Sequence, residues 1–190
     1  MLILASNSPR RHELLKLLRL PFKIQSSEAE EISRDFSENP TQIAIENAKL
    51  KAIDVSKNFP DDTIIGADTI VTLGTKIFGK PHGRDGAVAM LEELQNRTHE
   101  VITGLAIVDA GNVFTDAEKT LVTFGEMTRG EIESFVDTGE PMDKSGSYAL
   151  QGFTAPFIQK IDGDWSNVVG LPLYRLRIML NKIWHEEEDF

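Results

Sequence analysis

The chain has 190 residues, of which 41% are hydrophobic and 26% are charged, and this length is enough to bury one independent core. Twenty Lys and Arg against thirty Asp and Glu give a formal net charge of −10, which argues against a nucleic-acid polymer or an anionic membrane as the main partner. Because the sequence contains no cysteine, disulfides, thiolate metal sites and cysteine nucleophiles are excluded, and any metal must be bound by oxygen or imidazole ligands.

A targeting or membrane segment is not expected. No apolar stretch approaches the roughly 20 residues of a membrane-spanning helix, and the run Met1 to Ala5 is too short for the apolar core of a signal peptide. These features predict a cytoplasmic protein. Because no internal repeat or linker interrupts the chain, residues 1–184 are expected to form one domain. Residues 185–190 include four acids and are expected to form a tail.

The first half of the chain alternates between strand and helix signals. A short apolar run from Leu2 to Ala5 predicts a strand, and Pro9 predicts the start of a helix. After a second helix comes a strand over Thr63 to Val71, which Gly74-Thr75 connects to a returning strand over Lys76 to Phe78. The predicted apolar faces are Leu14, Leu17 and Leu18 in the first helix and Ile45, Ala48, Ala52 and Val55 in the second, which runs from about Thr41 to between Ser56 and Pro60.

The second half of the chain continues this alternation. A helix is predicted over Asp85 to Gln95, and Val101 to Val108 is expected to pair with Val113 to Phe124 around a turn at Gly111-Asn112. Interleaved strands and helices with two hairpin-like pairs favour an α/β fold with a mixed sheet. The remaining predicted elements are a helix from the capping box of Thr128 and Glu131 to Gly139, a strand at Phe157 to Ile161, and a last helix with Leu173, Leu176, Leu180 and Ile183 on one side.

The turn between the first strand and the first helix combines groups that suit an anion. Arg10 and Arg11 lie in the first helical turn, where the helix dipole is already positive and each cation costs some tenths of a kcal/mol. Ser6 and Ser8 add hydroxyl donors, with Ser8 as the expected N-cap. A phosphate would reverse the penalty, and guanidinium groups can bind it bidentately. A capped helix with two solvated arginines explains the residues equally well.

A carboxylate interrupts an apolar strand at Asp68, between Ile64-Ile65-Gly66-Ala67 and Ile70-Val71. Leaving it buried and unpaired would cost several kcal/mol. We therefore expect Asp68 to be hydrogen-bonded, paired with a cation, bound to a metal, or placed at the edge of the sheet facing a cleft. A structural aspartate bonded to a loop is an equally good interpretation. Thr69 is expected on the opposite face of the strand.

The segment Gly74 to Lys80 fits the first seven positions of a P-loop, but Pro81 stands where the magnesium-binding Ser or Thr is required. Its hairpin context also differs from the strand, loop and long helix of a P-loop. We therefore reject a P-loop enzyme and retain Lys80 as a point charge suited to a phosphate. The alternative for Lys80 is a solvated lysine.

Further charged residues leave their roles open. Glu28, Glu30 and Glu31 could supply a carboxylate to a divalent metal ion that neutralises a polyphosphate, or they could form a solvated loop. Lys49 and Lys51 flank the apolar face of the second helix on opposite sides, so helical spacing does not decide which of them faces a ligand. The histidines have no metal-ligand spacing and are expected to be structural or exposed: His12, His82, His99 and His185.

Five motifs occur in the order in which one known family has them. They are LILASNSPRR at Leu2 to Arg11, IGADTIV at Ile65 to Val71, Gly79-Lys80-Pro81, SGSYALQG at Ser145 to Gly152, and NVVGLP at Asn167 to Pro172. Over nearly its whole length the chain resembles the Maf family of nucleoside triphosphate pyrophosphatases.

The resemblance implies an activity and a fold. The activity is hydrolysis between the α and β phosphates of a nucleoside triphosphate, which yields the monophosphate and pyrophosphate with a divalent metal, Mg or Mn, as cofactor. The fold is an elongated, two-lobed α/β domain with a central cleft, in which helices flank a mixed sheet as in the inosine triphosphate pyrophosphatases. A homodimer is also implied.

The resemblance also implies roles for residues that match the family's motifs. Asp68 is similar to the catalytic carboxylate, which accepts a proton from the attacking water or acts through the metal, and Glu31 aligns with the second acidic residue of that metal site. Lys51 and Lys80 are similar to the phosphate-binding lysines. Lys49 stays an alternative to Lys51, because the helix segment reads Lys49-Leu50-Lys51-Ala52, whereas many relatives have Glu or Gln before that lysine. The amino-terminal phosphate cradle would consist of Ser6, Ser8 and Arg11.

Three further positions imply a branch of the family. Arg10, Thr69 and Gln151 match the branch that acts on dTTP and UTP, whereas a sister branch that acts on 7-methyl-GTP tends to have Trp, Gln and Glu. The neutral amide of Gln151 can both donate to and accept from a pyrimidine edge. The alternatives are a nucleotide-binding regulator, since Maf proteins have been associated with inhibition of septum formation and cell division, and a pyrophosphatase for non-standard purine nucleotides.

Overall fold

The computed structural model of the protein describes residues 1–32 and 39–185, so residues 186–190 of the predicted acidic tail lie outside the described residues. The strands are β1 (Leu2–Leu4), β2 (Phe22–Ile24), β3 (Thr63–Leu73), β4 (Lys76–Phe78), β5 (Thr98–Asp109), β6 (Asn112–Phe124) and β7 (Ile158–Asp162). The helices are α1 (Pro9–Lys16), α2 (Pro40–Ser56), α3 (Gly83–Leu94), α4 (Arg129–Val136), α5 (Trp165–Val169) and α6 (Leu173–His185). Short 3-10 helices lie at Glu140–Asp143, Ser145–Ser147 and Ala155–Phe157.

The strands form one seven-stranded sheet in the order β2-β1-β3-β5-β6-β7, and β4 pairs with β3 off this path. β1 is parallel to both β2 and β3, whereas β4 runs antiparallel to β3 and β7 runs antiparallel to β6. The parallel strands are connected through α1 and α2, because a parallel pair needs a crossover connection. The predicted α/β fold class with a mixed sheet and helices is confirmed. None of the helices in the described ranges is long and apolar enough to cross a lipid bilayer.

The capping residues of α4 are as the sequence predicts, and one hairpin turn lies within one residue of its predicted position. Thr128 and Glu131 form the capping box of α4. The turn between β5 and β6 consists of Ala110 and Gly111, whose φ angles of 45° and 80° suit a tight hairpin. This turn lies one residue earlier than predicted.

Two predicted apolar faces need correction. α1 ends at Lys16, so Leu17 lies beyond the helix and is 59% exposed, while Leu15 is buried in its place. In α2 the buried isoleucine is Ile43, and Ile45 is only partly buried. Two elements were missed: β2, whose three residues are only partly buried or exposed, and α5, whose five residues are too few to show a helical period.

The chain divides into two compact units, each assembled from separate stretches and with its own apolar cluster. The first cluster includes Ile3 and Ile64, and the second includes Phe124 and Phe135. The predicted domain boundary after residue 184 is not tested by this division, although α6 continues to His185. The first unit contains Met1–Asp68, Thr103–Glu118 and Gly170–Phe190, and the second contains Thr69–Ile102 and Lys119–Val169.

Helix α2 packs very closely on the sheet of the first unit because glycines stand beneath it. A Cβ on Gly66 of β3 would lie 2.1 Å from the carbonyl oxygen of Ala48, and one on Gly104 of β5 would lie 2.3 Å from the carbonyl carbon of Ala44. Neither distance is possible without a shift of the helix backbone. The two glycines therefore allow the short distance between α2 and the sheet. This distance determines which side chains of α2 can contact β3.

Replacing Gly104 by alanine is expected to lower the free energy of unfolding by about 1–3 kcal/mol, because the backbone of α2 must move away. Urea unfolding measures the change. Gly130→Ala in α4 is the matched control, since a Cβ there meets no atom within 4 Å and alanine favours a helix over glycine by up to about 1 kcal/mol. Equal losses in both variants, or no loss for Gly104→Ala, would contradict the close packing.

Candidate functional site

The carboxyl end of β1 lies where the connections of the sheet diverge, and its last residue, Leu4, is the partner of Ile65 in β3. From β1 the chain passes through α1 to β2 on one side, and it then returns through α2 to β3 on the other side of β1. Open α/β sheets bind ligands at such switch points, outside the carboxyl ends of the strands. The N–H of Ala5 donates to the carbonyl oxygen of Ile65 at 2.7 Å. Ser6 follows this contact directly in the chain after β1, and Asp68 lies three residues beyond it in β3, in the part of the strand that continues past the end of β1.

Asp68 faces α2 from β3 and is buried, with 3% of its surface exposed. Because side chains alternate along a strand, Asp68 lies on the same face as Gly66, beneath the helix. Its Oδ1 accepts a hydrogen bond from Lys51 Nζ at 2.9 Å, and its Oδ2 accepts one from Asn47 Nδ2 at 3.2 Å. The predicted need of this carboxylate for partners is therefore met by a cation and an amide.

Lys51 joins two carboxylates. Its Nζ lies 2.9 Å from Asp68 Oδ1 and 2.8 Å from Glu31 Oε1, and its side chain is 14% exposed. Lys49 instead pairs with Glu46 at 3.4 Å and has a side chain that is 39% exposed. The structure thus places Lys51, rather than Lys49, in the carboxylate cluster, a choice that helical spacing leaves open.

Asn47 belongs to the same cluster, and the sequence analysis missed it. Asn47 is fully buried, and besides its bond to Asp68 its Oδ1 accepts a hydrogen bond from the backbone N–H of Ile32 at 2.7 Å. Asn47 could have been recognised in the same way as Asp68, because it is a polar residue at a position that otherwise belongs to the apolar face of its element. In α2 this position adjoins Ala44 and Ala48, which pack against the sheet.

The corner between β1 and α1 is organised around Ser6. Its Oγ accepts hydrogen bonds from the N–H of Ser8 at 3.2 Å and from Arg11 Nη1 at 3.4 Å. Arg11 Nε donates to the carbonyl oxygen of Gly170 at 2.7 Å, and His12 Nε2 donates to the carbonyl oxygen of Ser6 at 2.7 Å. The carbonyl of Gly170 therefore holds the guanidinium group of Arg11, and the ring of His12 holds the backbone of Ser6.

The N-terminus of α1 has the electrostatics of an anion receptor. Ser8 is its N-cap, as predicted, but the Ser8 side chain makes no capping hydrogen bond, and the first turn contains no acidic residue. Arg10 and Arg11 lie in this turn and are partly buried. The helix dipole and both guanidinium groups therefore favour a negatively charged ligand at this end of α1.

In the second unit a short 3-10 helix joins two of the sequence motifs. Ser145 Oγ donates to the carbonyl oxygen of Thr69 at 3.3 Å, and the N–H of Gly146 donates to the carbonyl oxygen of Gly79 at 3.0 Å. Gly146 has a φ of 72°, which favours glycine. These bonds hold the SGS segment against β3 and against the Gly-Lys-Pro segment.

Three predicted substrate-binding residues lie in this second unit. Thr69 is partly buried on β3, directly after Asp68, while Lys80 and Gln151 are exposed. Lys80 follows β4 in the Gly-Lys-Pro segment, and Gln151 lies in a turn after the SGS segment. Exposed side chains at these positions are accessible to a ligand.

His99 and Tyr148 form a buried pair next to the SGS segment. His99 Nε2 and the Tyr148 hydroxyl are 2.7 Å apart, and Phe124 meets both rings edge to face. Burial lowers the pKa of His99 to about 4 and raises the pKa of Tyr148. Both groups are therefore neutral at pH 7, as expected for a structural histidine; His82 is exposed, and the side chain of His185 lies outside the described residues.

The pKa of His99 predicts a loss of stability in acid. Between its unfolded value of about 6.5 and its folded value of about 4, the unfolded chain binds a proton that the folded chain does not, so stability falls as the pH is lowered through this window. The whole window corresponds to about 3 kcal/mol. Urea unfolding at pH 7 and pH 4.5 measures the loss, which His99→Gln should reduce. Equal losses in the wild type and the variant would contradict this origin.

Comparison with known proteins identifies the family. A family model described as Maf-like protein matches residues 1–183. The chain belongs to the Maf family. A dTTP/UTP pyrophosphatase of Bacillus cereus (strain G9842) is 48% identical over 175 residues, which cover 92% of this chain and 91% of that protein. A dTTP/UTP pyrophosphatase of Bacillus anthracis is 47% identical over 175 residues, with the same coverage of both chains.

Among solved structures, the nucleoside-triphosphatase / dITP/XTP pyrophosphatase from Mycobacterium abscessus has 13% sequence identity and a TM-score of 0.45, covering 100% of this chain and 99% of that one.

The structure groups most of the predicted site residues of this Maf chain in one unit. Asp68, Lys51 and Glu31 form one contact cluster, and Ser6, Ser8 and Arg11 form the corner between β1 and α1. The family of the chain is confirmed, and the roles of the individual residues stay predictions. The predicted residues of the first unit are Ser6, Ser8, Arg10, Arg11, Glu31, Lys51 and Asp68, and those of the second are Thr69, Lys80 and Gln151.

Proposed function

We propose that this Maf protein is a pyrophosphatase that hydrolyses dTTP and UTP to the nucleoside monophosphate and pyrophosphate. The observation that carries the proposal is the convergence of Asp68 and Glu31 on Lys51, in the same unit as the corner around Ser6. The names of relatives that are 47% and 48% identical support these substrates.

The corner after β1 binds the triphosphate. The positive end of α1, the hydroxyls of Ser6 and Ser8, and the guanidinium of Arg11 supply donors and charge for phosphate oxygens. The bond from Arg11 to Gly170 holds the guanidinium in place before the substrate arrives, so less side-chain freedom is lost on binding. Concentrated positive charge of this kind allows a chain with a net charge of −10 to bind a polyanion.

Two lysines complete the phosphate contacts in this proposal. Lys51 places its ammonium beside the reacting carboxylate at 2.9 Å, where it balances negative charge on both the protein and the substrate. Lys80 of the second unit is the other phosphate-binding lysine, as the family resemblance implies.

Asp68 orients the attacking water and accepts its proton. Bonds from Lys51 and Asn47 hold one oxygen each and keep the carboxylate in one orientation. Water attacks phosphorus while the bond to the pyrophosphate leaving group breaks, and the proton of the water passes to the carboxylate. The cations of the corner and Lys51 stabilise the charge that develops on the leaving group.

A divalent metal ion, Mg or Mn, fits the carboxylates of this cluster. Glu31 and Asp68 both direct an oxygen at one cationic atom, Lys51 Nζ, and carboxylate oxygens are the ligands that these ions prefer. Within residues 1–32 and 39–185 no group of three or more His, Asp or Glu could hold a metal. Mg²⁺ usually keeps several waters and is bound through one or two carboxylates plus substrate phosphates. When bound, the ion withdraws negative charge from the phosphates.

Pyrophosphate release from a panel of nucleotides tests the proposed function. With Mg or Mn present, we expect dTTP and UTP to release pyrophosphate faster than 7-methyl-GTP and non-standard purine nucleotides, and a chelator to stop the release. Nucleotide binding without release would instead support the regulator of septum formation and cell division. Preferential release from the purine nucleotides would support the third interpretation.

The predicted selectivity residues can be tested as a pair. Exchanging Arg10→Trp together with Gln151→Glu is expected to lower kcat/KM for dTTP and UTP by about tenfold or more relative to 7-methyl-GTP, because the carboxylate no longer offers a donor to a pyrimidine edge. Initial rates on the same panel measure the ratio. Equal losses on every nucleotide would contradict a role in specificity.

The proposal includes a cytoplasmic enzyme that acts on free nucleotides and forms a homodimer. Light scattering on the eluting peak of a gel-filtration column tests the dimer, and a mass equal to one chain would contradict it.

A further inference from the structure

Asn47 connects the carboxylate of Asp68 to the backbone of the residue that follows Glu31. Its side chain is fully buried; its Nδ2 lies 3.2 Å from Asp68 Oδ2, and its Oδ1 lies 2.7 Å from the N–H of Ile32. Ile32 directly follows Glu31, whose Oε1 contacts Lys51 Nζ at 2.8 Å. One amide thus binds both the aspartate that handles water and the segment that carries the second acid.

Of the side chains of this size, an amide satisfies both partners. The Asp68 carboxylate needs a donor and the Ile32 N–H needs an acceptor, and asparagine supplies one of each. Aspartate would offer acceptors alone, and leucine would offer neither. Because the position is buried, an unmet donor or acceptor is costly, and the two contacts determine which way the amide points.

We propose that Asn47 is a positioning residue for the pyrophosphatase reaction, which aims Asp68 at the attacking water and holds the Glu31 segment in register with it. This inference rests on the proposed function. In that scheme Asn47 contacts neither the phosphates nor the base, so its removal should act on kcat and leave KM nearly unchanged. A residue that only stabilised the fold would lower the melting temperature without this effect.

Two substitutions separate the two contacts. Asn47→Asp keeps an acceptor for Ile32 but sets a second carboxylate oxygen about 3 Å from that of Asp68, where like charges repel. Asn47→Leu removes both contacts and adds no charge. We expect both variants to lose about 100-fold in kcat with KM within about threefold, the loss that a small misplacement of a reacting group causes.

Hydrogen exchange at the Ile32 amide distinguishes the variants from each other. We expect this amide to be protected in the wild type and in Asn47→Asp, and to exchange about tenfold faster or more in Asn47→Leu. The wild-type measurement needs no variant to fold, and an unprotected Ile32 amide in the wild type would by itself overturn the inference.

Thr63→Val is the matched control. It removes another side-chain hydrogen bond of the first unit, a partly buried one in which the Thr63 hydroxyl, at the first residue of β3, donates to Asp109. We expect a lower melting temperature but unchanged kcat and unchanged exchange at Ile32. A loss of kcat in the Asn47 variants no greater than in Thr63→Val would overturn the positioning role.

The same experiment separates the inference from the function on which it rests. If the wild type releases no pyrophosphate from any nucleotide, the proposed function fails. If the wild type is active and the Asn47 variants keep its kcat, the function stands and the inference fails.

Discussion

Asp68→Asn is expected to lower kcat for dTTP and UTP by about 100- to 10,000-fold, the usual contribution of a general base, while the protein stays folded. The amide has the shape of the carboxylate and fits the same place on β3, but it cannot accept a proton from water. In the wild type Lys51 contacts the carboxylates of Asp68 and Glu31. In the variant Asp68 is neutral, and of these two partners only Glu31 keeps its negative charge. Steady-state pyrophosphate release gives kcat, and a thermal melt reports on the fold.

Asp62→Asn is the control for this variant. Asp62 lies in the same unit and also pairs with a cation, the amino group of Met1, at 2.7 Å. This pair is exposed, so its removal should change stability little and leave turnover as it is. Near-normal turnover in Asp68→Asn would remove Asp68 from the chemistry, whereas parallel losses in both variants would indicate a general effect of charge.

Lys51→Met is expected to lower the free energy of unfolding by about 3–5 kcal/mol, because it removes one partner of a buried ion pair, the ammonium that contacts the carboxylate of Asp68. The side chains of Lys51 and Asp68 are 14% and 4% exposed, so water screens this pair poorly. The variant should also raise KM for dTTP, since a phosphate-binding ammonium is lost. Urea unfolding and steady-state kinetics measure the two effects on one preparation.

Lys49→Met is the matched control on the same helix. Lys49 pairs with Glu46, and the two side chains are 39% and 35% exposed. A pair of this kind contributes less than about 1 kcal/mol, so Lys49→Met should leave both the unfolding curve and KM almost unchanged. If Lys49→Met caused the larger change in KM, the phosphate-binding role would pass from Lys51 to Lys49.

Local patterns explain which elements of the fold could be predicted. Strand β3 follows from a run of β-branched residues, and the capping box of Thr128 and Glu131 starts α4 where the spacing predicts it. Those signals are carried by neighbouring residues, and they do not depend on the rest of the fold. β2 was missed because three residues at the end of a sheet acquire their structure from pairing with β1.

The site was predictable to the extent that its residues break a local rule. Asp68 interrupts an apolar strand, and Arg10 and Arg11 lie at the positive end of a helix. Each exception costs free energy that a partner or a ligand must offset. Asn47 breaks the same rule in α2, but an asparagine is less conspicuous among the mixed residues of a helix than an aspartate among isoleucines.

The sequence by itself determined the alternation of strands and helices, the family, and the chemical groups available to bind phosphate, because all of these are recorded in residue order and short motifs. Tertiary structure alone decided that Lys51 and not Lys49 meets Asp68, and that Asn47 joins Asp68 to the Glu31 segment. Both outcomes depend on how closely and at what rotation α2 lies on β3. That placement is set by Gly66 and Gly104, where the absence of a Cβ lets the helix backbone approach.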